Sequence, residues 1–459
     1  MFIVMWTIRG FLFAFCIILG VGERIRYDGY QVLRITPENE NELRTLHNMQ
    51  SSSLGEMIDF WKDPTFVNKP VDIMVSPDSK DYIIHSLMRG GVTKIVTFIK
   101  DVQAMIEPPK RRMVRSTEFD YYHFNTIESI NRWVTDTATE YATVTEGSLG
   151  SSFEGRSIKY LKISQGGSKK AVVMQGGMHA REWLSPATVI YLAKKLGEGG
   201  PEATEMLDKF DFYIIPVLNV DGYAYTWTNN RMWRTTRSHY NFTYCIGVDP
   251  NRNFDIDWDD SKDVGGSSAI PCSDTYRGLE PFSEVEVAAL RDFVISLGGG
   301  TNNKHGGNVA MYIDYHTYSQ RWLFPFGYKT WDEQRTSRAL PRKPGVGVGG
   351  NGVSGRNKDR VLLQGGAERA VKALKRVHGT FYDVGDLMTT IYPVTGDSCD
   401  YMYEVQNVKF AYGVEGRDQG DENGEGGYGF IAPPTEIQPS GEENWAALVA
   451  LCKYVFQHI

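Results

Sequence analysis

Cysteine is scarce in this chain, with five in 459 residues. That is too few for a disulfide-dense scaffold, so the fold must rest on packed apolar cores. Positive charge is not in excess either: 49 Lys and Arg against 56 Asp and Glu give a net charge of −7, which argues against a nucleic-acid partner. Past residue 21 there is no apolar run long enough to span a bilayer, and the one before it, Phe2 to Val21, is interrupted by Arg9. An uncleaved anchor is therefore the weaker reading, and no stable membrane association is expected. Phe11 to Leu19 reads instead as the core of a signal peptide, with Gly20-Val21-Gly22 as a small-x-small cleavage site. Residues 1–22 are expected to leave, and the protein to be secreted and extracellular. Initiation at Met5 would put Arg9 in an ordinary charged leader segment.

What is plentiful is glycine, 47 residues, and with it turns. In an oxidising compartment Cys245 and Cys272, which flank a loop rich in Asp, Asn, Gly and Ser, are the natural disulfide pair. Asn241-Phe-Thr is a glycosylation acceptor motif. The length suits two or three domains. Residues 23–115 show strand patterns at Gln31–Ile35, Met57–Trp61, Val71–Val75 and Ile95–Ile99. Helices are predicted over Pro37–Met49 and from Ser76-Pro77 to Arg89. The order β-α-β-β-α-β is that of a small α+β, ferredoxin-like module. Glu107-Pro-Pro-Lys-Arg-Arg-Met-Val-Arg-Ser follows it. Prolines keep this linker irregular and Lys110, Arg111, Arg112 and Arg115 offer a trypsin-like protease its site.

From residue 116 to 459 short apolar strands (158–163, 171–174, 210–217, 309–315) alternate with helices (127–141, 189–196, 285–297, 368–377, 445–456). This predicts an α/β domain with a mixed, mostly parallel sheet flanked by helices, and ligands at the carboxyl ends of its strands. Residues 336–359, rich in Arg, Gly and Ser and without periodicity, read as a long surface loop or as a retained non-coding segment. Gly420 to Gly427 is a smaller insert of this kind.

His179 and Glu182 stand just after the strand 171–174, where Gly176-Gly177 ends it and Ser185-Pro186 is expected to cap the next helix. An imidazole and a carboxylate three residues apart suit one zinc ion, which in a catalytic site takes three protein ligands and keeps an open position. The third ligand must come from elsewhere in the chain, and His316 follows another strand.

His179-Ala-Arg-Glu182-Trp, Asn230-Arg-Met-Trp-Arg234, Gly247-Val-Asp-Pro-Asn251-Arg252-Asn-Phe, Tyr315-His316-Thr-Tyr-Ser-Gln, Ile391-Tyr392 and Glu415-Gly-Arg-Asp occur in order. Together they resemble the M14 zinc metallocarboxypeptidases. Glu23 to Arg115 resembles the activation domain of the digestive A/B group. The resemblance implies a zymogen, one Zn2+ per chain on His179, Glu182 and His316, and peptide substrates with a free C-terminus. It implies Glu415 as general base and Arg234 as stabiliser of the developing oxyanion. Asn251, Arg252 and Tyr392 would bind the substrate carboxylate. Thr317 and Tyr318 would line the substrate site, and Arg181 and Arg231 would help bind upstream residues. A monomer is expected. The activation domain is expected to cover the cleft.

For side-chain preference the resemblance points seven residues past Tyr392, to Cys399 in Thr395-Gly-Asp397-Ser-Cys399-Asp400-Tyr. A buried Cys behaves as a small hydrophobe and favours neutral C-terminal residues, aliphatic or aromatic. Asp397 supports the alternative, a preference for Lys or Arg. Asp400 is read as structural. The rival reading of the whole chain is a peptide-binding protein on a dead peptidase scaffold, which would have lost a zinc ligand or the base.

Overall fold

A computed structural model describes residues 24–52, 54–107, 119–259, 266–300, 307–331, 353–418, 420 and 426–459. The expected signal peptide, the basic linker with Arg115, and most of the 336–359 segment lie outside the described residues.

The N-terminal module contains β1 (Gln31–Ile35), α1 (Glu40–Gln50), β2 (Ile58–Lys62), β3 (Val71–Val75), α2 (Pro77–Arg89), β4 (Ile95–Ile99) and a short α3 (Val102–Ile106). Both longer helices begin where sequence places a cap. Asn39 accepts from the amides of Asn41 and Glu42, and Ser76 accepts from Ser79 with Pro77 following, relieving donors that a helix start leaves unpaired. The sheet order β2-β3-β1-β4 is antiparallel throughout. One face packs Leu33, Ile35, Ile73, Val75, Ile83 and Leu87 into the module's own core. The other face carries Val32, Trp61, Met74 and Phe98 onto the larger domain.

That domain is built on β5 (Val144–Ser151), β6 (Ser157–Ile163), β7 (Lys170–Gln175), β8 (Phe210–Ile215), β9 (Val309–His316), β10 (Arg321–Phe324), β11 (Asp383–Asp386) and β12 (Phe410–Glu415). Their order is β11-β10-β12-β9-β7-β8-β6-β5. Strands β12, β9, β7 and β8 run parallel in the centre, and β10, β6 and β5 make the antiparallel contacts. The helices are α4 (Ile127–Glu140), α5 (Leu184–Glu198), α6 (Pro201–Leu207), α7 (Val220–Thr228), α8 (Val285–Ser296), α9 (Val353–His378), α10 (Leu387–Thr390), α11 (Ser398–Glu404) and α12 (Ile437–Phe456). The central strands are buried along nearly their whole length, as a parallel sheet covered on both faces requires.

Two expectations need correction. Helix α5 starts at Leu184, two residues before the expected Pro186, so Ser185 is not its cap. Its hydroxyl instead accepts from Gly177 N–H and donates to the Tyr315 carbonyl, which ties together the two strand ends that carry the metal-site residues. The second concerns residues 353–359, read as part of a structureless insert. They belong to α9, where Asp359 is buried and accepts from Tyr403; packing overrides the poor local helix propensity there.

Cys245 and Cys272 are bonded, with Cα atoms 5.1 Å apart, and Cys399 and Cys452 are free and buried. Among the described residues no helix is long and apolar enough to cross a membrane.

Candidate metal centre and active site

The loop after β7 turns sharply at Gly177, whose φ is +62°. A Cβ there would stand 3.0 Å from Val217 Cγ1 and 3.1 Å from its Cα, so glycine suits both the conformation and the space. The turn delivers His179 and Glu182 beneath the end of β9, where His316 is its last residue.

The three side chains meet. His179 Nδ1 lies 2.7 Å from Glu182 Oε1, His316 Nδ1 lies 3.2 Å from Glu182 Oε2, and the two Nδ1 atoms are 3.2 Å apart. A tetrahedral zinc with bonds near 2.1 Å sets its donor atoms ~3.4 Å apart, so the spacing fits the ion. The far sides of both rings face carboxylates. His179 Nε2 is 3.1 Å from Asp249 Oδ1. His316 Nε2 is 2.9 Å from Asp314 Oδ2, but too far off the N–H axis for a hydrogen bond. With Asp249 and Asp314 behind the Nε2 atoms, both Nδ1 atoms are turned toward one point, an arrangement that two imidazoles tolerate with a cation between them. Burial opposes ionisation of Glu182, but the imidazoles of His179 and His316 more than offset it and hold its carboxyl well below the usual range.

Residues 130–447 match the family described as zinc carboxypeptidase, and residues 33–108 match the carboxypeptidase activation peptide. The chain belongs to the zinc carboxypeptidase family. Mouse carboxypeptidase A2 is 35% identical over 440 residues, covering 94% of each chain. Bovine carboxypeptidase B is 35% identical over 442 residues, covering 94% of this chain and 95% of its own. Carboxypeptidase A from Helicoverpa armigera superposes with a TM-score of 0.76 at 26% identity, covering 94% of this chain and 98% of that structure. The protein is thus a metallocarboxypeptidase, a zinc-dependent hydrolase of peptides. It carries an activation peptide and is therefore a zymogen.

Around the metal group of this carboxypeptidase the remaining site residues take up distinct places. Glu415 ends β12 and is the register partner of His316 on β9, so both side chains leave the same face. Burial pushes its carboxyl up to about 7, with His316, Arg234 and Arg321 pulling the other way. Arg234 places two nitrogens on Asp249 Oδ2, at 2.7 and 3.2 Å, and a third 3.8 Å from Glu182. Burial opposes its charge, and Asp249 more than restores it. Arg252 is 2% exposed and donates to the carbonyls of Gly266 and Asn251, with Nη2 3.5 Å from the Tyr392 hydroxyl. Asn251 Oδ1 accepts the Ser398 amide at 2.9 Å, which fixes the turn leading to Cys399 next to Arg252. Cys399 is buried and its Sγ packs by Gly413. Asp397 caps α11, accepting from Asp400 N–H at 3.0 Å. Asp400 accepts from Gly327 N–H at 2.8 Å, in keeping with a structural role.

The cleft, about 1380 Å³ in volume, is walled on one side by the activation peptide: Asp59, Trp61 and Lys62 face Arg181, Thr317, Tyr318, Arg321, Tyr392 and Glu415. Arg181 Nη1 lies 3.1 Å from both oxygens of Asp59. Tyr318 donates to Asp72 at 2.7 Å, and Asp72 is gripped by both ends of the Arg34 guanidinium. Trp61 and Phe98 pack on Tyr318, and Trp61 also on Phe430. Thr317 gives its amide to Glu182. Arg231 is turned away from the cleft, spent on the carbonyls of Arg181 and Phe430 and stacked on Trp183.

Sequence reasoning missed Asp249, Asp314, Asp59, Asp72 and Arg321. The signal for Asp314 was there: two residues before His316 on a strand means the same face. Asp249 lay inside a quoted motif. The activation-peptide contacts have no local signature.

Proposed function

We propose that this chain is a secreted zymogen that, once activated, acts as a monomer and releases one residue at a time from the free C-terminus of peptides. In this reading residues 1–22 form the signal peptide, 23–115 the activation domain with its basic linker, and 116–459 the catalytic domain. A trypsin-like protease cuts near Arg115. His179, Glu182 and His316 would hold zinc, which when bound would supply an acidified water and polarise the scissile carbonyl. Glu415 takes the proton of the attacking water and passes it to the leaving amine. Arg234 faces the oxygen that gains charge, and Asp249 fixes both Arg234 and His179. Asn251, Arg252 and Tyr392 hold the terminal carboxylate, so a chain without a nearby terminus leaves Arg252 unpaired.

The observation that carries this reading is the adjacency of His316 and Glu415 in one strand register, beside Arg234 and within the cleft that Arg252 closes. The test is hydrolysis of a peptide and of its C-terminal amide by the trypsin-treated protein. Release of one residue from the free acid alone, abolished by a chelator, is expected. Equal cleavage of the amide, or indifference to the chelator, would refute it.

Cys399 taken alone supports a neutral C-terminal side chain. A specific observation favours the second reading, Lys or Arg: three carboxylates, Asp314, Asp397 and Asp400, are fully or almost fully buried around Cys399.

A further inference from the structure

In-register residues of neighbouring strands share a face, and residues two apart on one strand do as well. His316, Glu415 and Arg321 are aligned across β9, β12 and β10. One pleat repeat below, ~6.6 Å toward the sheet interior, lies a second row on that face: Gln175, Asp314, Gly413 and Leu323. The row beneath His316, Glu415 and Arg321 is therefore polar at two of its four places.

This row is covered by the turn into α11. Ser398 donates to Asp314 Oδ2 at 2.6 Å. Cys399 Sγ stands 3.5 Å from where a Cβ on Gly413 would be, and Leu323 Cβ 3.8 Å from it. The same turn is bound through Ser398 N–H to Asn251, next to Arg252. A residue whose carboxylate lies on Arg252 thus has its side chain beside this turn and above the second row.

Buried polar atoms in folded proteins are nearly always paired, and here a group of them is not. Asp314 Oδ1, both amide atoms of Gln175 and the Tyr312 hydroxyl have no hydrogen-bond partner, and all three residues are fully buried. Tyr312 shares the face of Asp314, two residues before it on β9. The hydrogen bond from Ser398 and the close approach of His316 Nε2 both fall on Oδ2. Asp397 and Asp400 each spend an oxygen on backbone amides and keep the other, Asp397 Oδ2 and Asp400 Oδ1, unpaired as Asp314 does; they differ in place, since they sit on the turn and first turn of α11 and only Asp314 stands in the sheet row that continues His316 and Glu415. Burial pushes both carboxyls up, and at Asp400 the charge of Asp397 adds to it.

We propose that Asp314 is the specificity residue of this carboxypeptidase, its unpaired carboxylate oxygen receiving the ammonium or guanidinium of a C-terminal Lys or Arg, with Gln175 and Tyr312 completing the contact. The inference rests on the carboxypeptidase reading above and names the side chain that the site takes. Gly413 keeps the approach to Asp314 free of a side chain. A carboxylate buried with one oxygen open discriminates by what it would leave unpaired: a neutral side chain seals the acid away from water with nothing in return.

The test uses the full chain activated by trypsin and peptides differing only in the last residue: Lys, Nε-acetyl-lysine, Arg, Leu and Phe. Wild type is expected to cleave the Lys peptide with kcat/KM about 100-fold above its acetylated form and above Leu. In Asp314→Asn, loaded with excess zinc and checked for zinc content, the Lys-to-Leu ratio of kcat/KM is expected to fall about 100-fold. A residue that only braced His316 would lower both substrates in parallel and leave the ratio unchanged; that result overturns the proposal. So does wild type cleaving acetyl-lysine or Leu as fast as Lys, a comparison that needs no variant. So does an unchanged ratio in Asp314→Asn together with a collapsed one in Asp397→Gly. Failure to cleave any of the peptides would instead sink the carboxypeptidase reading on which this rests.

Discussion

Replacing Asp59 by Ala should open the zymogen without touching the enzyme. Asp59 belongs to the activation peptide and its two oxygens lie 3.1 Å from Nη1 of Arg181, with the side chains 21% and 2% exposed. Truncating one partner of a desolvated charge pair across an interface costs 2–5 kcal/mol. Arg181 would keep some company after the change: Asp274 at 3.7 Å, and the Phe430 ring 4.3 Å below the guanidinium. The lower end applies, about 2 kcal/mol. At 1.4 kcal/mol per decade this shifts the docked-to-open equilibrium about 30-fold. The assay is hydrolysis of a small peptide by the uncut chain with a trypsin inhibitor present, before and after activation. Uncut Asp59→Ala should be about 30-fold more active than uncut wild type, and the two activated enzymes should be equal, because Asp59 leaves with the peptide. An uncut variant within about twofold of wild type would refute the bridge as a latch, since that is under 0.5 kcal/mol.

Other outcomes follow from the same geometry. Glu415→Gln should cost on the order of 10²–10⁴ in kcat, the range of general-base catalysis, with zinc content unchanged. Because the base works deprotonated and burial pushes its carboxyl up to about 7, kcat/KM should fall as pH drops through an acid limb at or below that value. The bound cation draws the limb downward, and Glu415→Gln should abolish it. Arg252→Ala should raise KM and erase the preference for a free acid over an amide, read from the pair of peptides. Stability should fall in acid through Asp249, whose carboxyl, though opposed by burial, is held well below the usual range by Arg234, Arg252 and His179. Its contribution is present above the unfolded-state value and lost as pH falls through the folded one; urea titrations of Asp249→Asn should show that part of the slope missing.

The activation module was legible because its strands and its two longer helices carry their own local signals: alternating strands, an Asn39 cap, a Ser76-Pro77 start. So were His179 and Glu182, three residues apart behind a glycine turn. The rest depended on register. Strand β5, Val-Thr-Glu-Gly-Ser-Leu-Gly-Ser, is a polar edge with two glycines and reads as turn, and β10 has four residues. That Asp314 lies under Glu415's row, or that Asp249 meets His179 from 70 residues away, follows from how β7, β9 and β12 align, and no single segment encodes it. The contacts of Asp59 and Asp72 join two domains and leave no periodicity in either.

The account stands on one cation shared by His179, Glu182 and His316. Anomalous diffraction at the zinc absorption edge from crystals of the full chain tests it most directly. The account predicts one peak per chain, bonded to Nδ1 of both histidines and to the Glu182 carboxylate. No peak, or a peak on other ligands, would contradict it.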